Sequence, residues 1–201
     1  QIPATAFDDS SSNSYAGITD TTSLSFTTAD VISPSLSSAS PTDNATAVAV
    51  DSNIVLTFSE AVDVESGNIL IKKSSDNSTV ESIDVTGSQV TGSGSTQITI
   101  NPGSDLDSST QYYLQIPATA FDDPSSNSFA GISDTTSLSF TTADVINPSI
   151  TGPSGNAGDS TSSKSINENS TAIHTFSANE TVTWSLNGGT DASKFSINSS
   201  T

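Results

Sequence analysis

Carboxylates in loops are the groups of this chain with the greatest chemical potential. The tract FDDPSSNSFAGISD carries Asp122, Asp123, Asn127 and Asp134, and an earlier tract of nearly the same sequence carries Asp8, Asp9, Asn13 and Asp20. Oxygen donors of this kind, mixed with backbone carbonyls and held in a loop, suit a hard divalent cation such as calcium, which takes six to eight oxygens and tolerates irregular geometry. A second candidate place is the Ala-Asp-Val-Ile tract that follows each loop, where Asp30 and Asp144 stand a few residues before a proline. There a cation could also draw on Asp43, Asp63 or Glu60 from an adjoining loop. Glu168, further along, is one more candidate ligand. The same residues also read as plain solvated turns, because Asp and Asn favour turns without any metal.

Other chemistry is poorly served. The chain has one His, His174, and neither Cys nor Arg. Thiol catalysis, disulfides and Cys-ligated zinc are therefore excluded. A nucleophile–base–orienter set has no second and third member near His174. Asp122 and Asp123 form a carboxylate pair of the sort glycosidases use, but few aromatics accompany them to stack a sugar. We expect no enzyme, no catalytic residue and no organic cofactor.

The elements that must position these loops are announced by a duplication. Residues 1–36 return as residues 115–150, and only five positions differ: Ser10/Pro124, Tyr15/Phe129, Thr19/Ser133, Ser33/Asn147 and Leu36/Ile150. A spacing of 114 residues is one whole domain rather than a solenoid repeat. Between the copies, apolar and polar residues alternate in short runs, the mark of half-buried strands. Ile54, Leu56 and Phe58 form one inward set, and Ile69 with Ile71, Ile98 with Ile100, Tyr112 with Leu114 and Ile116, and Leu138 with Phe140 form others. Residues 79–85 read as a weak edge strand. Turn clusters separate the runs, and no helical period is visible. The expected fold is all-β, a series of antiparallel β-sandwich modules of immunoglobulin-like type.

Three tracts carry a family resemblance: SPTDNATAVAVDSNIVLTFSEAVD (40–63), QITINPGSDLDSSTQYYLQIPATAFDD (97–123) and SLSFTT (137–142). Together they resemble the bacterial Ig-like domain of S-layer and other large surface proteins. The resemblance implies a non-enzymatic module strung in series outside a cell. Residues 166–201 resemble the opening of a cadherin-like repeat, through Glu168-Asn169, the Trp184-Ser185-Leu186 strand and the Asp191, Phe195, Ile197 turn. The expected organisation is the last part of a preceding Ig-like repeat at 1–32, a complete Ig-like repeat at 33–146, and the first part of a cadherin-like module at 147–201. On this organisation Leu24 and Phe26 should hold the sandwich positions that Leu138 and Phe140 hold in the second copy.

Charge narrows the partners. The net charge is −18, with four Lys against 22 Asp and Glu, and Ser plus Thr make up about a third of the chain. Nucleic acid and anionic membranes would be repelled, and no apolar run is long enough for a membrane helix. The expected setting is the extracellular cell surface, as a stalk, matrix or S-layer-associated filament. The expected partners are neighbouring modules of one long chain, other copies of it, or cell-surface glycans. An adhesin module binding carbohydrate or a partner surface protein is the alternative, and a catalytic domain elsewhere in a longer chain is a third arrangement.

Overall fold

Twelve strands appear in the computed structural model, which describes residues 1–198. They are β1 (Leu36–Ser40), β2 (Ala45–Val48), β3 (Ile54–Val64), β4 (Asn68–Lys73), β5 (Thr79–Asp84), β6 (Val90–Thr91), β7 (Ser95–Ile100), β8 (Gln111–Gln115), β9 (Phe121–Asp122), β10 (Ser139–Thr142), β11 (Ile150–Thr151) and β12 (Ser177–Ala178). One helical turn, of 3₁₀ type, spans Ala192–Lys194. Contacts divide the chain into two compact units, Gln1–Ala143 and Asp144–Thr201.

In the first unit two sheets face each other. One runs β1-β3-β7-β6, with β9 added to the far end of β3, and the other runs β2-β10-β8-β4-β5. All pairings are antiparallel except β10 with β2. Register follows the alternation of the sequence: Ile54 stands opposite Ile100 and Leu56 opposite Ile98, so the inward residues of β3 and β7 fall on one face. That face meets Ile69, Ile71, Tyr112, Leu114 and Phe140 of the second sheet, and all are buried. Burial of these side chains is the main driving force for the sandwich. The edge position expected for residues 79–85 is that of β5, whose Val80 is exposed while Ile83 is buried.

The duplicated tracts fare differently. In the second copy, Leu138 and Phe140 are each 2% exposed. In the first, Leu24 is 68% and Phe26 90% exposed, and neither belongs to a strand. The expectation that they fill sandwich positions is not met. Residues 20–31 form no strand and join neither sheet of the first unit, so nothing covers these two side chains.

Local backbone geometry nevertheless repeats. Ile2 and Ile18 exchange two backbone hydrogen bonds, as Ile116 and Ile132 do. Gly17 and Gly131 both have positive φ, and a Cβ on Gly131 would lie 2.5 Å from the Ile116 carbonyl. The loop is thus encoded by its own turn residues, whereas its burial needs the sheets. Phe58 of β3 packs edge-on against both Phe121 and Phe129. Their counterparts Phe7 and Tyr15 lie exposed, with their rings edge-on to each other.

The second unit is built around a single two-stranded pairing of β11 with β12. His174, Phe176 and Trp184 form a small aromatic group in it, with ring centroids 5.0 and 5.8 Å apart.

Candidate functional site

Asp123 closes the acidic loop before it does anything else. Its Oδ1 accepts hydrogen bonds from the backbone N–H groups of Ser125 (2.9 Å) and Asn127 (2.7 Å), and its Oδ2 accepts one from Asn127 Nδ2 (2.8 Å). Asp123 and Asn127 are also joined through the backbone, and Ser126 sits in the left-handed region with φ 66°. That is a turn followed by a left-handed residue, a standard way to close a short hairpin. These donors, Asn127 Nδ2 first, hold the Asp123 carboxyl below the usual carboxylate range, against the opposing effect of burial. The first copy repeats the arrangement with Asp9, Ser11 and Asn13.

Two further carboxylates reach the same place. Asp30, Glu60 and Asp123 each offer an oxygen, and these oxygens lie within 4.8 Å of one another. Asp30 arrives on the extended segment ahead of β1. Its side chain accepts the Ile32 N–H (3.0 Å), and its backbone carbonyl accepts the second hydrogen of Asn127 Nδ2 (3.3 Å). Glu60 arrives on β3, which also pairs with β9 at Asp63–Asp122 and so brings the strand beside the loop. Burial raises the Glu60 carboxyl above its usual range, and the charges of Asp30 and Asp123 raise it further. Two of the chain's four lysines are engaged elsewhere: Lys73 pairs with Asp107 and Lys194 with Asp191.

Three clustered carboxylates without a cationic partner repel one another. The repulsion is relieved by a proton or by a cation. The donor set, all oxygen with a carbonyl close by, is that of a hard divalent ion. Among the described residues this is the group of three acids that could hold one. It unites the two places the sequence offers, the acidic loop through Asp123 and the junction through Asp30, with Glu60 as the adjoining residue.

The remaining candidates stand apart. Asp134 is saturated by its own turn: Oδ1 accepts from the N–H groups of Thr136 and Ser137, and Oδ2 from Ser137 Oγ. Ser137 Oγ above all drives its carboxyl far below the usual range, and Asp20 repeats this with Thr22 and Ser23. Asp122 pairs through its backbone with Asp63 and Ser128, and Asp8 likewise with Ser14, and neither carboxylate belongs to the three-acid group. Asp43 accepts from the Ser139 N–H and Oγ, tying the turn ahead of β2 to β10. Asp144 accepts the Ile146 N–H (3.0 Å), and Glu168 is exposed.

An all-β sandwich of two sheets with acidic connecting loops is the class these features define. A family model described as bacterial Ig-like domain matches residues 30–142, more than half of the chain, and the chain belongs to that family. Its fold is non-catalytic, and its members occur in bacterial surface proteins. No curated protein matches the sequence. Among solved structures, similarity is found to CopC from Methylosinus trichosporium OB3b, at 17% identity and a TM-score of 0.38, covering 57% of this chain and 97% of that one. Similarity is also found to the S-layer protein rSbsC(31-844), at 18% identity and a TM-score of 0.37, covering 60% of this chain and 15% of that one. No helix among the described residues is long and apolar enough to cross a membrane.

Proposed function

We propose that the chain is a non-enzymatic structural segment of a very large extracellular bacterial surface protein, in which β-sandwich modules follow one another as a stalk, matrix or S-layer-associated filament. In this reading residues 1–32 end one Ig-like repeat, residues 33–146 form the next, and residues 147–201 open a cadherin-like module. The partners are then the neighbouring modules of the same chain. The observation that carries the reading is that the tract closing one copy of the duplication, at Asp30, seats on Glu60 and Asp123 of the sandwich that follows. A filament needs such a seat at every joint.

Calcium at this seat would offset two of the three carboxylate charges and stiffen the joint. A ligand that binds only the native state raises the thermal midpoint by mass action. The midpoint should therefore rise with calcium and fall back with chelator, and Asp30→Asn with Glu60→Gln should abolish the response. A midpoint indifferent to both reagents would remove calcium from the proposal. The stalk reading is tested separately by small-angle scattering on a longer stretch of repeats, where an elongated, particle-like profile supports it and a flexible-chain profile contradicts it.

A further inference from the structure

The tract that seats on the sandwich occurs a second time, and what it meets there has a different sequence. Asp30-Val31-Ile32-Ser33-Pro34-Ser35 leads into β1, and Asp144-Val145-Ile146-Asn147-Pro148-Ser149 leads into β11. Within the first unit, Ser35 N–H donates to Ser59 Oγ (3.0 Å) and Ser59 N–H donates back to the Ser35 carbonyl (2.9 Å). Within the second, Ser149 N–H donates to Asn179 Oδ1, and Asn179 N–H donates back to the Ser149 carbonyl (3.1 Å). One residue further into the strand pairing, Leu36 stands opposite Phe58, and Ile150 opposite Ala178.

The residue after each acceptor is a glutamate, Glu60 or Glu180. Each tract opens on an aspartate, Asp30 in one case and Asp144 in the other. Both aspartates close the same small turn, accepting the N–H two residues on at 3.0 Å. Five correspondences therefore hold in one register, although the receiving segments read TFSEAV and TFSANETV.

From these we infer that Asp144–Ser149 with Asn179-Glu180 is a joint of the same design as Asp30–Ser35 with Ser59-Glu60. The tract is a portable connector, and its partner is any β-module that presents a side-chain oxygen and then a glutamate opposite the connector's final serine. The inference rests on the reading of the tract as a link between modules. It adds that unlike modules are seated by one device, in which the oxygen comes from a hydroxyl or an amide with equal effect.

Interchange of the two acceptors tests this in the 201-residue chain, by amide hydrogen exchange in the presence of chelator so that no cation contributes. Ser59→Ala should speed exchange at Ser35, and Asn179→Ala at Ser149, each by about fivefold to tenfold for one lost hydrogen bond. Ser59→Asn and Asn179→Ser should keep both amides near their original protection. Ser59 and Asn179 are exposed, and unchanged protection at Ile98 and Leu114 will show that the sandwich is intact. The inference is overturned if either interchange behaves like its alanine variant, or if Asn179→Ala leaves Ser149 protected. Failure here would leave the calcium and scattering results untouched, so the two readings fail separately.

Discussion

At the scale of single residues, Glu60 and Asp123 share one place and respond to pH with opposite sign. Asp123 holds its proton less readily when folded. Its contribution to stability is present above the usual aspartate range and is lost as pH falls below that range towards its lowered folded-state pKa. Glu60 holds its proton more readily when folded, so lowering the pH from about 7 towards its raised pKa relieves repulsion with Asp30 and Asp123 and stabilises the fold. Below the ordinary range of a free glutamate, near about 4.3, the unfolded chain takes up the proton too and the gain stops growing. Glu60→Gln should therefore raise the thermal midpoint at neutral pH and remove the rise on mild acidification, leaving the acid limb due to Asp123. A variant whose midpoint fell at neutral pH would show that Glu60 is held by favourable contacts instead.

At the scale of elements, one sequence meets two environments. Residues 20–31 and 134–145 are identical, yet Phe140 is buried between the sheets and Phe26 is exposed. Phe140→Ala should cost about 3–5 kcal/mol, as large-to-small changes in packed cores do. Phe26→Ala should change stability by less than about 0.5 kcal/mol, as a surface change does. Chemical denaturation of the two variants measures both, and equal losses would mean that the first tract is packed after all.

The strands were legible because each sheet has one buried face and the alternation records it: Ile54, Leu56 and Phe58 declare β3. Tyr113 escaped, since it lies on the opposite face of β8 from Leu114's neighbours and is buried by local partners. Its hydroxyl donates to Asn77 (3.1 Å) and Lys72 lies over its ring, contacts that no periodicity reports. The acids of the site could be picked out singly, but their meeting could not. It depends on β3 continuing far enough to pair Asp63 with Asp122, and strand length past a buried core is not written in the alternation. The saturation of Asp134 by Ser137 and Thr136 has a local signal, Asp followed at two and three places by Thr and Ser, that turn chemistry could have flagged.

For the whole molecule, charge works against compactness. A net charge of −18 sets up self-repulsion that the folded state concentrates. Raising sodium chloride from about 0.01 to about 1 M shortens the screening length from about 30 to about 3 Å and should raise the thermal midpoint, including that of a variant lacking the Asp30 and Glu60 charges. A midpoint that fell with salt would point to favourable ion pairs outweighing the repulsion. The scarcity of Lys makes that outcome the surprising one.

The identity of residues 20–31 and 134–145 also bears on how the sandwich is assembled. Synthesis delivers Leu24 and Phe26 before β2 and β8 exist, and Leu138 and Phe140 after both. The gap between β2 and β8 is thus open while a segment with the same side chains, not itself a strand, is already present earlier in the chain. Side chains cannot distinguish the rivals. Only connectivity can: β10 comes attached to the loop that Phe58 locks through Phe121 and Phe129, and the earlier copy comes attached to the segment that must lead into β1. Where one tract occurs twice in a chain, the tether, rather than the segment itself, is what selects the partner.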